Sequence, residues 1–286
     1  MDFKNAQELL SLCDEKNRKI SAVMLRRECE ETECTEEDAV KRMKTALEIM
    51  RDSVIQPIGH PRKSMGGLIG GEAEKLSKSE RRLSGSLLGK AMCYAMGVLE
   101  VNASMGLIVA APTAGSSGVV PGLLLAMQDE FGFSDAQIVE ALFNASAVGY
   151  LAMRNATVAG AVGGCQAEIG VASAMAASAA VELMGGTPGQ CLDAAGTVLM
   201  NMLGLVCDPV GGLVEYPCQS RNASGAANAV IAAEMALAGI KQLIPFDEML
   251  DTMLKVGRKL PPELRETALG GCAATPTACR LCKKNK

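Results

Sequence analysis

Apolar residues recur at helical spacing over most of this chain, and no stretch shows the alternation of a β-strand. The clearest case follows Thr35, where a capping-box pattern ending at Asp38 leads into the amphipathic run AVKRMKTALEIM. We predict a helix of roughly 16 residues there. Caps, or prolines and acidic residues in a first turn, predict three further helix starts, at Ser134, Thr187 and Pro245.

Three segments consist almost entirely of Ala, Val, Leu and Met with Gly or Ser, at residues 170–184, 194–205 and 223–238. Helices of that composition are buried on most sides. Earlier in the chain, residues 57–71 carry too many Gly and Pro residues for a regular element, and the helical pattern returns from Ser79 to about Asn102.

These patterns predict an all-α fold in three parts. Charged helices occupy residues 1–53, and a compact multi-helix domain with Gly, Ser and Cys on its loops occupies residues 54–270. A Cys-rich tail follows at residues 271–286. The composition agrees, because 49% of the chain is hydrophobic while only 3% is aromatic, which suits closely packed helices better than a β-sandwich.

Charge and polarity exclude several classes of protein. The net charge of -4 is mild, and no basic stripe with interleaved aromatics indicates nucleic-acid binding. Residues 101–128 carry no charge, but Pro112, Pro121 and several hydroxyl side chains interrupt them, so we expect no membrane span. The N-terminus has no apolar signal region, which predicts a cytoplasmic protein whose 11 cysteines are core residues or metal ligands rather than disulfides.

Three cysteines lie beside residues that break regular structure: Cys165 in GGCQAEIG, Cys207 in GLVCDPVGG and Cys218 in EYPCQSRNA. A single such cysteine is more often a core residue than a ligand. Three thiolates from separate loops, with no fourth at matching spacing, nevertheless suggest an iron–sulfur cluster with one iron open for chemistry.

A second candidate is the small-residue loop APTAGSSGVVPG, which leads into an apolar helix. Its backbone N–H groups and the hydroxyls of Thr113, Ser116 and Ser117 would suit a substrate carboxylate. The alternative is a tight connection between two helices.

Taken together, the motifs APTxGxxGxxPG, GxxxGGCQxEIG and GLxCDPVxGxVxxPCxxRNA resemble the catalytic α chain of the iron–sulfur-dependent L-serine dehydratases, over about residues 54–271. The resemblance implies a 4Fe-4S cluster on Cys165, Cys207 and Cys218, and no pyridoxal phosphate. It implies an L-serine ammonia-lyase of amino-acid degradation and gluconeogenesis: the fourth iron acts as a Lewis acid on the β-hydroxyl of serine, and the products are pyruvate and ammonia.

With that chemistry, the Gly/Ser loop becomes the candidate anchor for the substrate. Its residues are Thr113, Gly115, Ser116, Ser117 and Gly118, with Asn155, Arg221 and Asn222 as further candidate contacts.

The sequence does not single out the catalytic base, and the candidates are His60, Lys63 and Glu168. One-chain members of the family begin with a domain carrying a Ser-Ser-His-Thr motif, which this chain lacks. The resemblance therefore implies a separate β chain in a heterodimer or higher αβ assembly.

The tail GGCAATPTACRLCKKNK is a further point of comparison, since some family members use a C-terminal cysteine as a fourth cluster ligand when substrate is absent. Cys279 lies nearest the equivalent place, with Cys272 and Cys282 close by. The alternatives are a disordered tail or adventitious metal binding. For the whole chain, the rival functions are an L-cysteine desulfidase and a non-catalytic helical metal-binding or scaffold protein.

Overall fold

The computed structural model describes residues 1–80 and 83–284, and within these the chain forms thirteen α-helices and no β-strand. The all-α prediction is therefore confirmed. The helices are α1 (Ala6–Lys16), α2 (Ile20–Glu31), α3 (Glu36–Gly59), α4 (Glu72–Ser77), α5 (Gly85–Ala103), α6 (Val119–Phe131), α7 (Asp135–Asn155), α8 (Gly160–Gly163), α9 (Val171–Leu183), α10 (Pro188–Asn201), α11 (Cys218–Leu237), α12 (Phe246–Lys259) and α13 (Pro276–Lys284).

Local capping chemistry accounts for several helix starts. Thr35, Ser134 and Thr187 each accept a hydrogen bond from the backbone N–H three residues later, and in each case the side chain at that later position bonds back. These reciprocal bonds satisfy N–H groups that a helix start leaves unpaired. The predicted starts of α3, α7, α10 and α12 are confirmed.

Two boundary predictions were wrong. Helix α3 has 24 residues and runs through Pro57 into the segment predicted to be irregular. Pro57 is buried, and its ring faces Gly97 of α5, so packing offsets the hydrogen bond that a proline removes. Helix α5 starts at Gly85 rather than Ser79, because the φ of +67° at Gly85 cannot continue a right-handed helix upstream.

Helix α9 lies at the centre of the molecule, and every residue from Val171 to Glu182 is buried. It packs against α6, α7, α10 and α11, and its Ala and Ser side chains let these helices come close. The buried side chains of α1, α2 and α3 belong to the same continuous core. The division of the chain at residues 53 and 270 stays a prediction.

Within residues 1–80 and 83–284, no helix combines the length and the apolar character that crossing a bilayer requires. The uncharged stretch 101–128 folds as the end of α5, a loop and most of α6.

Helices α5 and α6 approach each other through glycine. A Cβ atom on Gly118 would lie 2.2 Å from the carbonyl oxygen of Ala95, and that oxygen is backbone that cannot turn away. We expect Gly118→Ala to lower the free energy of unfolding by about 3 kcal/mol, because α6 must move off α5. Urea unfolding followed by circular dichroism measures the change.

The matched control for this substitution is Gly189→Ala in α10, where a Cβ atom would meet only the Thr187 hydroxyl oxygen, at 3.9 Å. Alanine in a helix is expected to be neutral there, or to stabilise the protein by up to about 1 kcal/mol. Equal stability of the two variants would contradict the close approach.

Candidate functional site

The three cysteines of the sequence motifs are all buried, and each is held by a different local structure. Cys165 lies between α8 and a π-helical turn, Gln166–Gly170, and follows Gly164, whose φ of +76° turns the chain. Cys207 lies in an irregular segment. Cys218 is the first residue of α11 rather than a turn residue.

The backbone around Cys207 is fixed from both sides. Its N–H donates to the carbonyl oxygen of Leu264 at 2.9 Å, and its own carbonyl oxygen accepts from the N–H of Glu266 at 2.7 Å. This bridge to a distant segment holds the thiol in place without a regular helix or strand.

The structure brings the thiols of Cys165 and Cys207 together with the carboxylate of Glu168. One ligand atom from each of the three lies within 4.8 Å of the others, so they could hold a metal ion. Cys218 does not belong to this tightest group, but it is close enough to be affected by it. Burial, followed by the charges of Cys165 and Glu168, raises the pKa of Cys218 to about 12.

Desolvation and the neighbouring thiols disfavour extra negative charge here. The pKa of Cys207 is raised well above its ordinary value, first by its hydrogen bond with Cys165 and then by burial. Burial also raises the pKa of Glu168. A cation placed among these groups would favour their deprotonated forms, which is the arrangement expected of a metal centre.

Glu168 is the sequence candidate for the base that lies beside the thiols. Its Oε1 accepts from the hydroxyl of Thr113 at 2.8 Å, and its Oε2 lies 3.8 Å from the sulfur of Cys207. Gly160 makes room for it, since a Cβ atom there would lie 2.5 Å from Glu168 Oε2 and 3.2 Å from the Cys207 sulfur.

The Gly/Ser loop packs between Glu168 and α11. Asn222 joins the loop to α11, because its Oδ1 accepts from the N–H of Gly118 at 3.0 Å and its Nδ2 donates to the carbonyl oxygen of Gly115 at 2.8 Å. The Ser117 hydroxyl donates within the loop to the Ala114 carbonyl oxygen at 2.8 Å. The fully buried Ser116 hydroxyl lies 3.0 Å from that of Thr113.

The remaining candidates lie elsewhere. Asn155 is exposed at the end of α7, and its Nδ2 donates to the Lys4 carbonyl oxygen at 2.8 Å. His60 and Lys63 are exposed on the segment after α3, and neither side chain has a hydrogen bond or ion pair within the described part of the chain. Their roles stay predictions.

Arg221 connects the site to the start of the tail. Its Nη1 lies 3.6 Å from the sulfur of Cys165 and 2.7 Å from Asp208 Oδ1. The other oxygen of Asp208 accepts from the backbone N–H of Cys272 at 2.5 Å. Asp208 therefore holds the guanidinium at the Cys165 thiol and the tail at the same time.

We expect Asp208→Asn to loosen both contacts. Removing one charge of a largely buried ion pair is expected to lower the free energy of unfolding by about 3 kcal/mol, because the Arg221 charge stays buried. Limited proteolysis is also expected to cut the chain around Cys272 faster. Urea unfolding and mass spectrometry of the fragments measure the two effects.

The control is Asp251→Asn, which removes an exposed ion pair with Lys255 one helical turn away in α12. Such pairs contribute no more than about 0.5 kcal/mol. If Asp208→Asn lowered the free energy of unfolding no more than this control, and proteolysis around Cys272 were unchanged, the proposed role of Asp208 would be wrong.

The tail is folded. Residues Gly271–Ala274 form a 3-10 turn, and α13 follows. Cys272 is partly buried, Cys279 is exposed, and the Cys282 sulfur would lie 3.3 Å from a Cβ atom on Gly211. A role of any tail cysteine as a fourth ligand stays a prediction, and the last two residues lie outside the described residues.

Sequence reasoning missed two buried carboxylates that organise the site. Glu215 accepts from the Ser64 hydroxyl at 2.7 Å and from the N–H groups of Gly66 and Leu68, at 2.6 and 3.0 Å. Glu100 accepts from Gly71, Ala73 and Gln219. An acidic residue alone in an apolar run, as in AMGVLEVNA, was the available signal for Glu100.

Comparisons with known proteins identify a family. The family model described as "Serine dehydratase alpha chain" matches residues 15–273. The probable L-serine dehydratase alpha chain of Bacillus subtilis (strain 168) is 50% identical, over 99% of this chain and 95% of its own. The L-serine dehydratase alpha chain of Peptoniphilus asaccharolyticus is 43% identical, over 98% of this chain and 97% of its own.

A longer relative matches as well. The L-serine dehydratase of Helicobacter pylori (strain ATCC 700392 / 26695) is 36% identical over 96% of this chain, but the match covers only 62% of the relative. More than a third of that protein therefore has no counterpart here. The extent of the family match and the identities over nearly the whole length show that the chain belongs to the serine dehydratase alpha chain family.

Proposed function

We propose that this chain is the catalytic α chain of an L-serine ammonia-lyase, which converts L-serine to pyruvate and ammonia with a 4Fe-4S cluster. The main observation that supports this proposal is that the thiols of Cys165 and Cys207 and the carboxylate of Glu168 lie within 4.8 Å of one another, with Cys218 nearby. Near full-length relatives named as L-serine dehydratase alpha chains support the reaction.

The residues present fit such a cluster. Three buried thiols are the donor set that iron–sulfur clusters use, and Gly160 leaves open the space that a Cβ atom would fill between Glu168 and Cys207. Cys165, Cys207 and Cys218 would hold the cluster. When bound, it supplies a Lewis acid that helps the β-hydroxyl of serine to leave.

The chain's own residues prepare the site for an anionic centre and an anionic substrate. Arg221 directs an N–H group at the Cys165 sulfur and offsets negative charge there. The Thr113 hydroxyl orients the Glu168 carboxylate. Gly115 lies beside that carboxylate on the loop that Asn222 fixes, so a serine carboxylate bound at this loop would be next to the thiols.

The rest of the site is assigned to a separate β chain, and the candidates for the catalytic base are a residue of that chain and Glu168, which lies beside the thiols. Two relatives of nearly the same length are named as alpha chains, and the longer relative contains more than a third of additional sequence. The one histidine of this chain, His60, is exposed and is not part of the thiol group. We expect a heterodimer or a higher αβ assembly.

The test is to purify the chain under anaerobic conditions with and without its cognate β chain, and to measure iron, sulfide and pyruvate formation from L-serine and L-cysteine. The proposal is supported if the αβ pair releases pyruvate faster from L-serine than from L-cysteine, and faster than this chain does alone. Faster turnover of cysteine would instead make the protein a desulfidase. Full activity of this chain alone would refute the need for a partner, and a protein with zinc and no iron would support the scaffold alternative.

A further inference from the structure

Four large apolar side chains lie exposed next to the candidate site. Met65, Met105, Leu107 and Leu213 have 69%, 77%, 71% and 38% of their surface exposed. Scattered exposed apolar residues are normal on a protein surface, but a group of them marks an interaction site. We call these four residues the docking face.

The members of the docking face are neighbours in space although they come from three segments. The N–H of Met65 donates to the carbonyl oxygen of Ala103, the last residue of α5, at 2.9 Å, and Ala103 is two residues before Met105. A Cβ atom on Gly66 would lie 2.6 Å from Cδ1 of Leu213. The face is therefore one surface.

The docking face borders the candidate site. Asn102, at the end of α5, donates from Nδ2 to the carbonyl oxygen of Ala114 at 3.3 Å. Val214 follows Leu213 in the chain, and its Cγ1 would lie 3.6 Å from a Cβ atom on Gly115. Because Gly115 lies beside Glu168, a chain bound on the face would lie next to the residues that surround the Cys165 and Cys207 thiols.

The backbone beside the face is also available. Residues 107–110 are non-helical, and among the described residues none exchanges a hydrogen bond with their backbone. Ile108 and Val109 are partly buried against the core and hold the segment in place. Fixed backbone with unpaired N–H and C=O groups is a template on which another chain can form hydrogen bonds.

The edge of the face is basic. Arg62 and Lys63 are exposed, and a Cβ atom on Gly106 would lie 3.6 Å from Arg62 Nη1, so the guanidinium lies next to Met105 and Leu107. An apolar centre with a charged rim is the usual anatomy of a protein interface. The chemistry favours a partner with an apolar surface and acidic residues around it.

We propose that the docking face binds the β chain, and this inference rests on the function proposed above. The longer relative carries, in one chain with the part shared with this protein, more than a third of additional sequence. The docking face offers apolar surface, backbone N–H and C=O groups of residues 107–110 that no described residue pairs with, and positive charge. It lies next to the site that the partner is needed to complete.

The test measures binding of the purified cognate β chain to the full chain by isothermal titration calorimetry. We expect Leu107→Glu to weaken the affinity by at least about tenfold, because a charge would be buried at the centre of the interface. Met105→Glu is expected to act in the same direction. Circular dichroism and thermal unfolding of each variant alone check that the fold is intact.

Leu243→Glu is the matched control, because Leu243 is 92% exposed but lies in the connection between α11 and α12, outside the face. The affinity of the Leu243→Glu variant for the β chain is expected to stay within about twofold of that of the unchanged chain, as for a residue away from an interface.

The possible failures are distinguishable. If the unchanged chain binds no β chain, the partnership in the proposed function is wrong, and the docking face loses its occupant. If the unchanged chain binds and both face variants bind equally well, only the assignment of the face is refuted. If light scattering shows that Leu107→Glu separates a homodimer while β-chain binding is unaffected, the face joins two copies of this chain and the proposal is overturned.

Discussion

Cys207→Ser is expected to remove bound iron from the anaerobically purified αβ protein and to lower pyruvate formation from L-serine by more than about a hundredfold, since even residues outside a metal's ligand set commonly cost about 10- to 100-fold. The hydroxyl of the serine introduced at position 207 is a harder ligand than the thiolate it replaces, and iron–sulfur clusters are held by thiolates. Hydrogen bonds on both sides of the backbone of residue 207 prevent the segment from shifting to compensate.

Iron and acid-labile sulfide per chain, together with visible absorption, measure the loss independently of activity. The control is Cys34→Ser, at the turn between α2 and α3. The Cys34 sulfur accepts from Thr32 and Arg42, and a serine oxygen can accept in the same way. Full iron content is expected in the control. Iron retained by Cys207→Ser would contradict the assignment of this residue as a ligand.

Gly160→Ala is expected to damage the site with the addition of one methyl group. The new Cβ atom would lie 2.5 Å from Glu168 Oε2 and 3.2 Å from the Cys207 sulfur, so at least one of the two must move. Activity is expected to fall by about 10- to 100-fold, because displacing groups around a metal has effects of that size. The free energy of unfolding is expected to fall by about 1–3 kcal/mol.

Iron content, activity with L-serine and urea unfolding are to be measured on the same preparation. Gly189→Ala again serves as the matched substitution, since α10 has room for the methyl group. Normal iron content and activity in Gly160→Ala would mean that Glu168 and Cys207 do not need their present spacing.

Helix starts could be predicted from the sequence where the deciding interactions are local. Thr35, Ser134 and Thr187 each bond within three residues, so their caps are visible in a short stretch of sequence. The continuation of α3 through Pro57 could not be predicted, because it depends on packing against Gly97, forty residues later in the chain. Tertiary packing there outweighs the local effect of proline.

Part of the candidate site could also be predicted from the sequence, because some of its elements are local. Its Gly/Ser loop and three cysteine motifs are each compact in sequence, so the amino-acid order alone is enough to recognise them. The hydrogen bond between Thr113 and Glu168 joins residues 55 positions apart, and no local pattern indicates it. For Asn155, a candidate substrate contact, the sequence did not indicate the hydrogen bond that its amide donates to the N-terminal segment, and its role stays a prediction.

The buried carboxylate of Glu215 has a mechanical consequence. Its carboxylate accepts hydrogen bonds from the loop that carries Met65. Its backbone carbonyl oxygen accepts from the N–H of Gln219, in the first turn of α11. The loop and the first turn of α11 are thus both hydrogen-bonded to one residue. A partner bound at Met65 would therefore also restrain the backbone at the start of α11, where Cys218 lies.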